Sequence, residues 1–380
     1  MNKAHTISRR QLLNASMGVA AVAGLGTLTA RSASAQATFE TFADLKPALD
    51  LGFGGKITQI TMVVKDVHRV ARRFSDIFGP SWAFYEFRPR LLLLHDKAPT
   101  DTDCVLKLAI GYCGGQSFKL VQPVSGQSSY AEFLQAQGEG FYGISVGTVG
   151  DHDATALALK NAGATVEMQG DAGDGMSFTI LDTVDDLGLR VEFSGLGSKV
   201  LPSALKAAGV YVPRGASVVD MNNPVLEGGK KFVQLGIVVS DGHRGARRFA
   251  ELFGVRSWRY QSLPASHYAM FGKELTDAEL PSTTCEQCVA YLGDTQIELL
   301  VPVPEAPGGI HRRFHDRHGN GFQHLMLLPR TPSDHDATLE ALWRQGMTKE
   351  IEYRLGINTF PGYGHYTGME KQVGGFVLEY

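Results

Sequence analysis

Four polar residues interrupt apolar, strand-like runs in the second half of the chain. They are Gln234 in Lys-Phe-Val-Gln-Leu-Gly-Ile-Val, Glu298 in Gln-Ile-Glu-Leu-Leu-Val, His324 in Phe-Gln-His-Leu-Met-Leu and Glu379 in Phe-Val-Leu-Glu-Tyr. Side chains alternate between faces along a strand, so each of the four points opposite its bulky apolar neighbours. A carboxylate facing into a fold is costly unless it is paired or binds a cation. Two carboxylates, one carboxamide and one imidazole make an oxygen-rich set that neutralises a divalent ion and leaves two positions of an octahedron open. Without a thiolate, such a set suits Zn, Ni, Co, Mn or Fe(II). Taken singly, each residue has a structural explanation: an Arg neighbour for Glu298, a cross-strand hydrogen bond for Gln234, a core position for His324. The four together point to one metal ion.

The elements that must position them come from an internal duplication. Residues 56–79 (KITQITMVVKDVHRVARRFSDIFG) recur as residues 231–254 (KFVQLGIVVSDGHRGARRFAELFG). Each copy reads as an apolar strand, then an Asp, Asp66 or Asp241, where a helix N-cap is wanted. An amphipathic helix follows, with Phe74 and Phe78, or Phe249 and Phe253, four apart on one face. Gly79 and Gly254 close the helices. A second pair of segments also corresponds: 133–143 with 314–324, and His152-Asp153-Ala154-Thr155 with His335-Asp336-Ala337-Thr338. The order is A-B-A′-B′, which divides the folded part into four similar units. One unit cannot cover both faces of its own sheet, so units are expected to pair. The expected fold is α+β: four βαβββ modules pairing into two cup-like, curved mixed β-sheets with helices outside. The expected segments are an arm over 36–55, one module pair over 56–200, a linker over 201–230 and a second pair over 231–380. Pro302–Gly309 reads as a further linker.

A strand ending in Val-Val-x-Asp, a helix ending in Phe-Gly, a later Ile-Glu-Leu-Leu-x-Pro strand and His-Gly-x-Gly-Phe-Gln-His together resemble the vicinal oxygen chelate superfamily. Its glyoxalases and methylmalonyl-CoA epimerases show this pattern, and its extradiol dioxygenases show the four-module layout. The resemblance covers nearly all of the chain from Lys56. It implies that Gln234, Glu298, His324 and Glu379 are the ligands of one divalent metal ion, matching the Gln-Glu-His-Glu set of the glyoxalase I family. It implies Glu379 as general base, with Glu298 second, in a metal-dependent lyase, isomerase or epimerase acting on a small oxygenated molecule. An extradiol-type ring-cleaving dioxygenase and a non-catalytic small-molecule binding protein stay open as alternatives. His267, Tyr268, His365 and Tyr366 are expected to line the substrate side.

The first half is an internal control. Its equivalent positions are Gln59, Lys119, Gly143 and Glu192. An ammonium and a missing side chain exclude a second metal, and Lys119 is expected to pair with Glu192. His311, His315 and His318 read as the solvated face of a basic helix, and His68 and His243 as structural residues at helix starts. The four cysteines, Cys104, Cys113, Cys285 and Cys288, read as buried thiols, with a Cys104–Cys113 disulfide as the alternative.

A formal charge of −3 carries no basic excess that would suit nucleic acid. Residues 1–35 resemble a twin-arginine export signal. Ser8-Arg9-Arg10-Gln11-Leu12-Leu13 precedes a mildly apolar run, and Ala33-Ser34-Ala35 matches a signal peptidase site. The run is too short to span a bilayer stably. The expected location is the periplasm, with cleavage after Ala35 and no membrane attachment of the mature form. The expected partner is a small-molecule substrate, with a homodimer as a further option. Export argues against glutathione or acyl-CoA substrates, which are cytoplasmic, and favours a diffusible aromatic or natural-product fragment. Replacing Arg9 and Arg10 by Lys should leave uncleaved precursor in the cytoplasm. Normal appearance of a protein starting at Gln36, read by N-terminal sequencing of fractionated cells, would reject the export motif.

Overall fold

The computed structural model describes residues 37–51, 55–215, 217–219, 230–263, 267–270, 273–274, 285–303, 309–328, 332–354, 363–368 and 377–379. After β1 (Thr38–Thr41), the first half runs β2 (Gln59–Val63), α1 (Val67–Phe78), β3 (Trp82–Phe87), β4 (Arg90–Leu94), β5 (Val105–Cys113) and β6 (Gln116–Ser125). It continues with α2 (Ser129–Gln137), β7 (Gly140–Val149), α3 (His152–Asn161), β8 (Thr165–Gly173), β9 (Met176–Asp182), α4 (Val184–Leu187), β10 (Arg190–Leu196) and β11 (Leu205–Tyr211). The second half repeats the plan: β12 (Lys231–Val238), α5 (Gly242–Phe253), β13 (Ser257–Leu263), β14 (His267–Met270), β15 (Lys273–Glu274), β16 (Cys285–Leu292) and β17 (Thr295–Pro302). Then come α6 (Ile310–His318), β18 (Gly321–Leu328), α7 (Pro332–Arg344), β19 (Thr348–Arg354), β20 (Tyr363–Gly368) and β21 (Val377–Glu379).

The repeated strand–helix units form for the local reasons their sequences give. Asp66 Oδ1 accepts from the backbone N–H groups of His68 and Arg69 at 2.9 and 3.0 Å, and Asp241 Oδ1 from that of Arg244 at 2.9 Å. These carboxylates satisfy donors that the first helical turn cannot. The helices stop at Gly79 and Gly254, whose φ of 81° and 74° would strain a side chain. The face carrying Phe74 and Phe78 packs on β5 and β6, and the face of Phe249 and Phe253 on β16 and β17.

Two mixed sheets result, in the orders β11-β3-β5-β6-β2-β7-β10-β9-β8-β4 and β1-β13-β16-β17-β12-β18-β21-β20-β19-β14-β15. At the centre of each, a parallel pair, an antiparallel pair and a parallel pair follow in turn. These are β6-β2-β7-β10 in the first sheet and β17-β12-β18-β21 in the second. Each sheet therefore joins two modules across its middle, as the α+β module-pair reading expects. One hydrophobic core runs through both halves. Phe78 and Phe118 meet Phe232 edge-on, with centroids 5.7 and 5.4 Å apart, and Phe141 stacks on Phe322 at 4.1 Å.

The stretches read from the sequence as arm and linker each hold an edge strand. β11 pairs with β3 of its own half. β1 crosses to the other half and pairs with β13, where Tyr260 Oη donates to Glu40 Oε2 at 2.6 Å. Both strands are exposed along most of their length, so they lack the apolar alternation that marks a strand in sequence. The Pro302–Gly309 linker lies mostly outside the described residues. All four cysteines are buried free thiols, and the Cys104–Cys113 bridge is not formed. Burial pushes the Cys104 thiol up to about 11 and that of Cys288 up to about 12, which keeps both protonated and unreactive.

Candidate metal centre

The four strands at the middle of the second sheet carry the four sequence-identified residues, one each. Gln234 pairs in register with Gln296 on β17 and Met326 on β18, and Met326 pairs with Glu379 on β21. Two residues further along β12, Gly236 stands between Glu298 and His324. Residues two apart on a strand share a face, so these two adjacent rows place Gln234, Glu298, His324 and Glu379 on one side of the sheet.

Glu298, His324 and Glu379 offer ligand atoms that lie within 4.8 Å of one another. His324 Nε2 is 3.1 Å from Glu379 Oε2 and 3.3 Å from Glu298 Oε2. The exposures are 0% for His324, 3% for Glu298, and 5% for Glu379 and Gln234. Gln234 Oε1 accepts no hydrogen bond among the described residues, and Glu298 Oε2 has the His324 Nε2 contact at 3.3 Å as its partner. The remaining atoms of these two side chains are tied back. Gln234 Nε2 donates to Gln296 Oε1, and Glu298 Oε1 accepts from Gln287 Nε2. Burial raises the Glu298 carboxyl above its ordinary value, an effect that the His324 hydrogen bond opposes and the nearby Glu379 reinforces. Burial alone would lower His324, but the carboxylates of Glu298 and Glu379 outweigh it and hold the imidazole at about 9. Two buried carboxylates thus converge on one position and lean on a single proton. A donor set of two carboxylate oxygens, an imidazole nitrogen and an amide oxygen fits a divalent cation there.

Gly236 bears on the geometry of the candidate site, and sequence reasoning missed it. A Cβ at this residue would overlap the His324 ring, so only a glycine lets the imidazole lie across β12. The signal was present in the repeat. The cross-strand pair Gly236–His324 corresponds to Thr61–Gly143, so the glycine changes sides when the histidine is lost.

A family model described as "Glyoxalase/Bleomycin resistance protein/Dioxygenase superfamily" matches residues 58–179 and again 233–358. The chain belongs to this superfamily. The two matches fall on the two module pairs, and no curated protein matches the sequence. Among solved structures, a mutant of 4-hydroxymandelate synthase from Streptomyces coelicolor is similar in fold. It has a TM-score of 0.50 and 12% identity, with 86% of this chain and 92% of that chain covered. The Mn(II)-bound glyoxalase from Novosphingobium aromaticivorans aligns with a TM-score of 0.41 and 14% identity over 86% and 82% of the two chains. BphC, a halotolerant catechol dioxygenase, aligns with a TM-score of 0.39 and 11% identity over 86% and 85%.

Within this superfamily member the two cups have diverged at the same four positions. In the first half Lys119 Nζ lies 2.5 Å from Glu192 Oε2, and Gln59 Nε2 donates to Ser117 Oγ at 3.1 Å. The ammonium sits where the second half places Glu298, so the carboxylate already has its cation. At Gly143 a Cβ would run into the backbone carbonyl of Arg190 on β10, which leaves no space for an imidazole. Among the described residues, the Glu298–His324–Glu379 group is the cluster able to hold a metal.

The remaining sequence expectations resolve unevenly. His267 and Tyr268 lie on β14 and His365 and Tyr366 on β20, strands of the same sheet as the cluster, with Tyr366 in register with Glu379. Their side chains lie outside the described residues. His311 is not on a solvated face: it is 6% exposed, and its Nδ1 lies 2.7 Å from Gln323 Oε1. The charged residues around it set the polar appearance of α6, while the first turn of that helix packs inward. His315 contacts Ser240 Oγ at 2.9 Å, and His318 contacts Gln137 of the first half at 2.9 Å. His68 and His243 have structural contacts, the former 4.3 Å from the Phe84 ring and the latter stacked on Tyr260 at 4.1 Å.

Two outcomes follow from this geometry. If the cluster holds a divalent ion, Gly236→Ala should abolish its binding by displacing His324, although residue 236 is not a candidate ligand, and should leave the circular dichroism spectrum unchanged. Metal content at the wild-type level in that variant would contradict the placement of His324. In the metal-free protein, folding raises the His324 value from 6.5 to about 9, so the folded state holds the extra proton. That stabilisation is complete below pH 6.5 and is lost as the pH rises through 9. The melting temperature of chelator-treated protein should fall across this window. Added metal should remove the decline, because the ion then replaces the proton.

Proposed function

We propose that this chain is an exported, metal-dependent lyase or isomerase that moves a proton on a small oxygenated molecule in the second cup. The observation that supports this reading is the convergence of two buried carboxylates on one imidazole, with the buried Gln234 Oε1 accepting no hydrogen bond among the described residues. Gln234, Glu298, His324 and Glu379 would hold one divalent ion, of the Zn, Ni, Co, Mn or Fe(II) kind. When bound, that ion supplies Lewis-acid stabilisation of negative charge developing on neighbouring substrate oxygens.

The protein's own groups divide the remaining work. Glu298 is held through Oε1 by Gln287 and suits a fixed role. Glu379 is the carboxylate we assign to the proton, accepting it from the substrate carbon and returning it at a second position or to a leaving group. His324 stands between the two carboxylates and would offer Nε2 to the ion. The ring-cleaving alternative calls on two imidazoles and one carboxylate. The cluster has one imidazole, and Gln234 stands on the strand that would have to supply the other.

The export motif at Arg9-Arg10 and the small-residue pattern ending at Ala35 support a periplasmic site of action. A periplasmic enzyme would meet a diffusible aromatic or natural-product fragment sooner than a coenzyme A or glutathione conjugate. Among the described residues no helix is long and apolar enough to cross a membrane.

Glu379→Gln keeps a neutral oxygen of the same length. It should retain folding and most of the metal while lowering turnover by roughly 10²–10⁴-fold. His324→Ala should lose the metal, since the one nitrogen ligand is gone. Turnover of α-hydroxy-carbonyl and catechol compounds, measured beside metal content by mass spectrometry, tests both variants. Full activity of Glu379→Gln at full occupancy would transfer the base role to Glu298. Metal retained by His324→Ala would reject the site, and a metal-loaded wild type inactive on every such compound would favour a binding protein.

A further inference from the structure

Two side chains, Gln287 and Gln323, touch the candidate ligands from behind and a third, His311, backs Gln323; the half that lacks a metal set has no amide or imidazole at the same three places. Gln287 on β16 donates Nε2 to Glu298 Oε1. Gln323 Oε1 lies 3.1 Å from His324 Nδ1 and 2.7 Å from His311 Nδ1, and Gln323 Nε2 donates to the carbonyl of Ile310 at 3.3 Å. An amide oxygen can only accept, so both imidazoles must present Nδ1–H to it. A neutral imidazole protonated at Nδ1 keeps its lone pair on Nε2, the atom that faces Glu298 and Glu379. Gln287, Gln323 and His311 are all buried, which shields these contacts from exchange with solvent.

Gln323 reaches this place through a bulge. Gly236 pairs with His324 and Ile237 with Phe322, so residue 323 is the extra one on β18. Bulges re-aim side chains in this manner, and they recur beside functional sites. The first half has the same bulge, since Thr61 pairs with Gly143 and Met62 with Phe141, leaving Tyr142 extra.

The two halves therefore compare residue by residue. Glu298 pairs with Val289 on β16 and Lys119 with Ile110 on β5, which aligns Gln287 with Leu108. The bulge aligns Gln323 with Tyr142, and the matching helix starts align His311 with Tyr130. The cup with a complete ligand set has Gln287, Gln323 and His311. The cup with Lys119 and Gly143 has Leu108, Tyr142 and Tyr130, with the two tyrosine rings packed 4.7 Å apart. There Tyr130 Oη donates to Glu192 Oε2 at 3.5 Å and Tyr142 Oη meets Ser129 Oγ at 2.6 Å, so with a common backbone geometry the fold alone does not require amides or an imidazole at these places.

We propose that Gln323, steadied by His311, is a positioning residue that fixes His324 with its proton on Nδ1 and its Nε2 turned to the ion, and that Gln287 likewise selects Oε2 of Glu298. This rests on the metal reading above and adds the layer that makes the ligands rigid before the ion arrives. Second-layer contacts of this kind set ring orientation and ligand basicity, and their loss weakens metal binding without touching a ligand.

The test compares the affinity of the full chain for Zn²⁺ and Mn²⁺, by chelator competition, in wild type, Gln323→Leu, Gln323→Glu, Gln287→Leu and His311→Phe. Gln323→Leu and Gln287→Leu should bind roughly 10- to 100-fold more weakly. Gln323→Glu, which keeps an acceptor oxygen, should return towards the wild-type value, and His311→Phe should fall between. In the zinc-loaded wild type, ¹⁵N spectra of the histidines should show His324 protonated at Nδ1. Melting temperatures of the metal-free variants separate lost positioning from general damage, since Gln323→Glu and Gln323→Leu should differ in affinity even at equal stability. Equal affinity of Gln323→Leu and wild type overturns the proposal, as does equal weakening of Gln323→Leu and Gln323→Glu or a His324 proton on Nε2. Should Gln323→Leu fail to fold, the His311→Phe affinity and the wild-type spectrum decide. A wild type that binds neither ion rejects the metal reading itself, and the positioning role with it.

Discussion

Two carboxylates, Glu298 and Glu379, are buried on one face of a sheet with one imidazole between them. Like charges brought together in a low-dielectric interior repel strongly, and taking each one out of water is costly as well. The arrangement is stable only if positive charge comes between them. In the metal-free protein that charge is the His324 proton, which the carboxylates hold up to about pH 9. A divalent ion at the proposed site would answer the same need more completely and would release the proton on binding. Much of the second cup follows from this constraint. It explains the glycine at 236 that clears room for the imidazole. It also explains the glutamine that ties Glu298 through its other oxygen, and the order of four strands that brings donors distant in sequence into two adjacent rows.

The first cup meets the same electrostatic requirement by other means. Lys119 supplies a covalently attached cation to Glu192, and the backbone of β10 closes over Gly143 where an imidazole would stand. The two halves therefore share a fold and differ in the source of their positive charge. The first carries its cation on its own chain, and the second is proposed to take one from solution. Their joint core, with Phe232 between Phe78 and Phe118 and Phe322 stacked on Phe141, makes the fixed half a rigid support for the other. The edge strand β1, contributed from before the first half to the sheet of the second, ties the halves together a further time.

Free thiols are consistent with the proposed route of export. A chain that folds before it leaves the cytoplasm needs no disulfides, and all four cysteines are buried as thiols. Burial raises Cys104 and Cys288 well out of the range in which a thiolate would react, so an oxidising compartment has little access to them.

The sequence by itself determined the module plan and marked the residue types that meet in the candidate site. Asp66 and Asp241 before apolar helices, glycines after them, and the recurrence of 56–79 as 231–254 are local signals, and local geometry obeys them. Gln234, Glu298, His324 and Glu379 were legible through the family resemblance together with their polar character inside apolar strands. The edge strands β1 and β11 were not legible, because a strand exposed on both faces has no alternation to read. Nor were Gly236, Gln287, Gln323 and the buried His311, because their roles depend on which residue lies across the sheet or beneath a helix. Cross-strand register and a bulge at residue 323 set those neighbours. Register is a property of paired strands and not of either strand alone, so the second layer of the site was decided only when the sheet closed.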